Sequence, residues 1–282
     1  MSDLSSMTAI AMRAAEAAAD VHRQGSRRVD PSRWGEKGRS DFVTEVDVEA
    51  ERVIVETIRS ASPNDAIIGE EGGEHANAPV GERSGACDTA SVRWIIDPLD
   101  GTTNWLHGYP EYAVSIAAED ETGLAAAVVL NSATGECFEA TRGGGARLDG
   151  KEIRVSTLDD LRLALVGTGF PFKRLEILPA YLETFSTVLK TTSGIRRAGS
   201  AALDLCDVAC GRLDAFFEFH LMPWDVAAGA LIVREAGGRF EPLQVPGLES
   251  EAGGSPVASL PTGGYVAGTP GVWEAFRALI PG

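Results

Sequence analysis

Between Trp94 and Trp105 the chain reads Trp-Ile-Ile-Asp-Pro-Leu-Asp-Gly-Thr-Thr-Asn-Trp, and few backbones can accommodate that order. The apolar residues up to Ile96 form a strand that delivers Asp97 to its end. Pro98 has no N–H to give a ladder and breaks it, so Asp100 follows after one tight turn. Both carboxylates and the intervening Leu99 carbonyl can then converge on one point, a set of hard oxygen donors suited to a divalent cation. Gly101-Thr102-Thr103 can open a helix whose free backbone N–H groups donate to a phosphate beside that cation. The competing explanation is an Asp-Pro turn capped by a second Asp.

Three more acids have related settings. Glu70 ends the short apolar run Ala66 to Ile68 in Gly69-Glu70-Glu71, and Asp225 opens a helix after Met222-Pro223-Trp224. Asp225 could equally be a simple helix cap, and Asp47 one more charge on a solvated helix face. Other chemistries lack support. Gly145 to Lys151 spells seven letters of a phosphate-binding loop, but Glu152 stands where Ser or Thr must be, and Asp149-Gly150 marks a hairpin turn. There is no Gly-x-Ser-x-Gly elbow, and His22, His75, His107 and His220 are too scattered for a zinc site.

The order of elements sets the fold class. Residues 7–24 and 46–58 carry apolar positions at helical spacing, the second run behind a Thr44 N-cap, with a loop over 29–40 between them. Residues 112–155 alternate short apolar runs with turn signals, as in an antiparallel meander. Beyond residue 155 strands (163–166, 214–219) alternate with helices (179–189, 201–209, 225–236, 272–279), and 246–264 reads as a loop. These patterns predict a layered α+β architecture in two closely joined halves, 1–155 and 156–282. Residues 72–91 lack periodicity and read as a surface excursion.

Charge narrows the partners. Twenty-five Lys and Arg against 41 Asp and Glu leave a net charge of −16, which repels nucleic acid and anionic membranes and suits divalent cations. No stretch approaches the length of a membrane span, and the polar start of the chain predicts a cytoplasmic protein. Cys206 and Cys210, four residues apart, read as core packing.

Taken together, Asp41 to Asp47, Gly69-Glu70-Glu71, the Trp94 to Trp105 run, Gly199-Ser200-Ala201-Ala202-Leu203-Asp204 and Trp224 to Gly229 resemble, in order, the motifs of the inositol monophosphatase family of lithium-sensitive, Mg²⁺-dependent phosphatases. The resemblance implies an α-β-α-β-α sandwich, a homodimer, and hydrolysis of a phosphate monoester. It implies that Glu70, Asp97 and the Leu99 carbonyl hold one Mg²⁺ and that Asp97, Asp100 and Asp225 hold a second, with Glu70 helping a third. Gly101 and Thr102 amides would take the phosphate, while Thr102, paired with Asp47, and Glu70 would orient the attacking water. Ala201 and Glu218 correspond to positions that contact inositol. Inositol-1-phosphate is the expected substrate, with histidinol phosphate and fructose-1,6-bisphosphate as alternatives. From another class stands a non-catalytic interaction protein retaining the fold. Its mark would be lost ligands, and Asp47, Glu70, Asp97, Asp100 and Asp225 are all present.

Overall fold

The computed structural model describes residues 4–25, 35–38, 41–75, 92–245, 257 and 260–281. Most of the 72–91 excursion, and Cys87 with it, lies outside these residues. The chain forms an α-β-α-β-α sandwich, as the family resemblance implies.

Two helices make the first layer. In α1 (Leu4–Gln24) Met7, Ile10, Ala14 and Ala18 fall on one buried face. In α2 (Glu45–Ala61) Ala50, Ile54 and Ile58 do the same, behind a capping box in which Thr44 and Asp47 satisfy each other's backbone ends. Both pack on a mixed sheet of eight strands: β3 (Ala66–Gly69), β4 (Gly73–His75), β5 (Val92–Asp100), β6 (Ala113–Asp120), β7 (Gly123–Asn131), β8 (Cys137–Thr141), β9 (Gly145–Leu148) and β10 (Lys151–Ile153). The spatial order is β10-β9-β8-β7-β6-β5-β3-β4, so the predicted meander is β6 to β10. Side-chain alternation divides the faces: Trp94, Ile96, Val114 and Ile116 meet α1 and α2, whereas Ile95, Ala113 and Ala117 face the opposite layer.

That middle layer is α5 (Ala201–Ala209) and α6 (Pro223–Glu235). Residues 226–233 of α6 are apolar or Gly and all buried, as a helix between two sheets must be. Below it lies a five-stranded sheet, β12-β11-β13-β15-β14, made of β11 (Leu165–Thr168), β12 (Gly194–Arg196), β13 (Ala215–Leu221), β14 (Arg239–Leu243) and β15 (Gly263–Gly268). Phe216 points to the middle layer; Phe217 and Phe219 point outward, under α4 (Leu178–Thr191) and α7 (Trp273–Arg277). The two sheets part between Ile153 and Leu165, yet one apolar cluster draws on both.

Several expectations need correction. The loop over 29–40 contains β1 (Gly35–Gly38), paired antiparallel with β2 (Asp41–Val43). The excursion from residue 72 opens with β4, which pairs back onto β3. Neither strand has an apolar alternation to betray it. The strand expected over 163–166 starts at Leu165, after a short 3-10 turn over Leu161–Leu163. Strands β12 and β14 lie at sheet edges, where three residues, or a run holding Pro242, suffice. The 246–264 loop gives way to β15 at Gly263. Most important for the site, Pro98 does not end β5. Pairing with β6 continues to Asp100 across a register shift between Asp97 and Asp100, so the proline makes a bulge inside the strand.

Candidate active site

The bulge is where the acids gather. Asp97 is 2% exposed, and its Oδ1 accepts from the Leu99 N–H at 3.0 Å. Burial, then the neighbouring carboxylates of Glu70, Asp100 and Asp225, raise its pKa well above the usual carboxylate range. Asp225 is the third residue of α6 rather than its cap, because Met222 occupies the cap position. Its Oδ2 accepts from the Met222 N–H at 2.7 Å, and burial with Glu70 and Asp100 pushes its pKa up. Asp100 accepts from the Ser200 hydroxyl at 2.6 Å and the Ala202 N–H at 2.8 Å. Burial raises its pKa to about 6 against those two hydrogen bonds.

Glu70 stands in the turn between β3 and β4. That turn is gripped from α2 by Glu51, whose carboxylate accepts from the Glu71 N–H at 2.9 Å and the Gly72 N–H at 2.7 Å. A carboxylate taking two backbone donors fixes the path of the chain on which Glu70 sits.

Behind the loop, the Thr102 hydroxyl lies 3.0 Å from Asp47 Oδ1 and 3.1 Å from the Leu99 carbonyl oxygen. Asp47 is 1% exposed, not solvated: Oδ2 accepts from the Thr44 N–H at 2.8 Å and the Thr44 hydroxyl at 2.5 Å. Thr102 begins the short helix α3 (Thr102–His107), and Gly101 precedes it with φ of 93°. A side chain at 101 would also meet the Glu111 carbonyl at 2.8 Å, so glycine is required there twice over.

One cavity of about 430 Å³ joins these groups. Glu70, Asp97, Leu99, Asp100, Gly101, Thr102 and Asp225 line it, as do Ala201, Asp204 and Glu218. Asp47 stands behind Thr102 and reaches the cavity only through it. Glu218, on β13, has its pKa raised to about 8 by burial, against the opposing charges of Arg197 and Lys173.

Among the described residues, no three acids, histidines or cysteines already form a closed metal shell. Asp97, Asp100 and Asp225 each keep an oxygen on a backbone N–H instead. The donor set nonetheless fits a hard divalent cation: it is all oxygen, it lines one cavity, and its members repel one another. Every site residue named from the sequence falls in or directly behind this cavity. Sequence reading missed Glu51 and Asp204. Each is an acid set among apolar helix positions, which is the signal that could have found them.

A model of the inositol monophosphatase family matches residues 3–275. A protein of Pseudomonas aeruginosa named Nus factor SuhB is 49% identical over 234 residues, 82% of this chain and 83% of that protein. Among solved structures, the extragenic suppressor protein suhB of Bartonella henselae superposes with a TM-score of 0.81 at 35% identity, covering 98% of each chain. Inositol monophosphatase from Anabaena gives a TM-score of 0.78 at 32% identity, over 99% of this chain and 96% of that one.

Proposed function

This chain belongs to the inositol monophosphatase family, and from that membership we propose that it is a Mg²⁺-dependent phosphomonoesterase acting on inositol-1-phosphate. The observation that carries the reading is the convergence of Glu70, Asp97, Asp100 and Asp225 on one cavity beside Thr102. In this reading Glu70, Asp97 and the Leu99 carbonyl hold one ion, Asp97, Asp100 and Asp225 a second, and Glu70 contributes to a third. Bound Mg²⁺ supplies Lewis-acid stabilisation of the phosphate and leaving oxygens and lowers the pKa of water.

The protein's own groups do the rest. Thr102, held by Asp47, orients the attacking water, and Glu70 accepts its proton. The backbone N–H groups of Gly101 and Thr102 hold the phosphate in line. Ala201 leaves room for the ring, and Glu218 pairs with ring hydroxyls. The same reading makes the enzyme a lithium-sensitive cytoplasmic homodimer, with halves 1–155 and 156–282 sharing one site.

A turnover panel tests it: inositol-1-phosphate, histidinol phosphate and fructose-1,6-bisphosphate, each with Mg²⁺ and with EDTA. Inositol-1-phosphate should give the highest kcat/KM, and EDTA should stop all turnover. A tenfold preference for histidinol phosphate, about 1.4 kcal/mol in the transition state, would replace the substrate assignment. Full activity in EDTA would end the metal assignment.

The relatives' name favours a second reading, a Nus-factor role beside or instead of turnover. The expectation from net charge, that a nucleic-acid partner is disfavoured, stands beside that name, which states a factor role and no phosphatase activity. Complementation of a strain lacking such a relative, by the wild type and by Asp100→Asn, separates the two: rescue by both would make the role independent of catalysis.

A further inference from the structure

The cavity wall formed by β11, β13 and α5 has its own chemistry. Gly167 and Gly169 are alternate positions at the end of β11, and Thr168 between them points the other way, to the Tyr181 hydroxyl at 3.1 Å. A side chain at 169 would overlap the Glu218 carboxyl, and one at 167 would meet Leu213 at 2.9 Å and the Asp204 carboxyl carbon at 3.4 Å. Gly169 therefore leaves space that the Glu218 carboxyl of β13 occupies, and Gly167 brings the strand into contact with the Asp204 carboxyl from the first turn of α5. Glu218 has Arg197 and Lys173 as opposing charges, and Arg197 is itself held over the Phe172 ring at 5.2 Å. Asp204 has no such help. It is 2% exposed, and the charges acting on it are those of Glu218, Asp207, Asp100 and Glu111, all acidic. No described hydrogen bond reaches its carboxyl, and the residue lines the cavity. A buried carboxyl left unpaired costs free energy that a ligand's donor would recover.

We propose that Asp204 is a specificity-determining residue which, with Glu218, forms a carboxyl pair that binds two hydroxyls of a polyol phosphate in the cavity that the metal ligands also line. The pair selects for hydrogen-bond donors: an alcohol without hydroxyls leaves Asp204 unsatisfied, and a site built around such a group discriminates strongly. The proposal rests on the phosphomonoesterase reading and adds to it a residue and a reason for choosing polyols.

The test uses the full chain with Mg²⁺ and compares kcat/KM for inositol-1-phosphate with that for phenyl phosphate, an ester with no further hydroxyl. Asp204→Ala should lower the ratio of the two at least tenfold, mainly through KM for inositol-1-phosphate. An unchanged ratio overturns the assignment, because a structural role would affect both esters alike. Melting temperature reports folding, and Asp204→Leu, which also lacks any hydrogen-bonding atom, replaces the Ala variant if that fails to fold. Asp204→Asn keeps a neutral hydrogen-bonding group, so it should hold inositol-1-phosphate turnover within threefold. If Asn instead lowers histidinol phosphate turnover tenfold more than inositol-1-phosphate turnover, the pair serves an ammonium and the polyol assignment fails. If the wild type hydrolyses none of these esters, the phosphatase reading fails on its own. Calorimetric binding of myo-inositol then decides for Asp204: binding weakened tenfold by Asp204→Ala supports it, and equal or absent binding overturns it.

Discussion

Ser200 donates its hydroxyl to Asp100 Oδ2 at 2.6 Å, joining residues one hundred positions apart. Ser200 also caps α5, accepting from the Leu203 N–H, while Ala202 gives its own N–H to the same Asp100 oxygen. The start of a helix in the second half thus holds a carboxylate that ends a strand in the first. Asn104 adds a second tie, donating to the Ala198 carbonyl at 2.9 Å. The start of α5 and the position of Asp100 are thus set by the same hydrogen bonds.

Removing the Ser200 hydroxyl should therefore loosen Asp100 without removing it. Ser200→Ala is expected to raise the Mg²⁺ concentration needed for half-maximal turnover by about 10- to 100-fold, the usual cost of losing a partner of a metal ligand. Asp100→Asn removes the charge itself and should cost several kcal/mol of stabilisation, roughly 100-fold or more in kcat. Phosphate release and circular dichroism on the same preparations check both. Near-normal rates for Asp100→Asn, with native dichroism, would return the acid to the role of a turn cap.

Thr102 and Asp47 should act as a unit, because the hydroxyl has one proton and two acceptors within 3.1 Å. Thr102→Val is expected to lower kcat by about 100-fold or more, in the range of general acid–base effects. Asp47→Asn should produce most of the same loss, and the double variant little beyond it. Additive losses would show that the two work separately. Asp47 also satisfies the Thr44 end of α2, so melting temperature has to be followed beside rate.

Mg²⁺ should stabilise the protein as well as activate it. The acids around Asp97 repel one another, and a ligand bound only by the folded state adds about 2.7 kcal/mol at a hundred times its dissociation constant. Thermal unfolding with and without millimolar Mg²⁺ should show a rise in Tm that Asp225→Asn reduces. An identical Tm in Mg²⁺ and EDTA would count against a metal centre among these carboxylates.

How far the sequence could be read depended on where the information was local. The clustering of Asp97, Leu99, Asp100 and Thr102 was legible because they stand within six residues beside a strand, a proline and a glycine. The amphipathic faces of α1 and α2 were legible for the same reason. The bulge at Pro98 was not, since whether a proline ends a strand or distorts it depends on β6 continuing to pair alongside. Glu51 shares the α2 face with Asp47, Ile54 and Ile58, but its purpose rests on a turn twenty residues away. The roles of Gly167 and Gly169 are defined by side chains from α5 and β13, which no local pattern announces.

His22 should make stability depend on pH in a way that can be isolated. It lies buried near the end of α1; its Nδ1 is 2.8 Å from the Ser132 hydroxyl, and its carbonyl accepts from the Trp105 indole at 3.2 Å. Burial lowers its pKa from 6.5 to about 4, outweighing the Pro98 carbonyl, which favours the protonated ring without a full hydrogen bond to Nε2. The unfolded chain therefore binds this proton more readily than the folded one. The stabilisation is fully present above pH 6.5 and is lost as pH falls towards 4, amounting to roughly 3 kcal/mol at 1.36 kcal/mol per pKa unit. Acids with raised pKa values, such as Asp97 and Glu218, contribute the opposite slope and would mask the effect in the wild type alone. They cancel in the difference between the wild type and His22→Gln, measured by urea unfolding from pH 7 to pH 4. That difference should shrink steadily as pH falls, and a constant gap would mean that the imidazole is already free to take a proton in the folded protein.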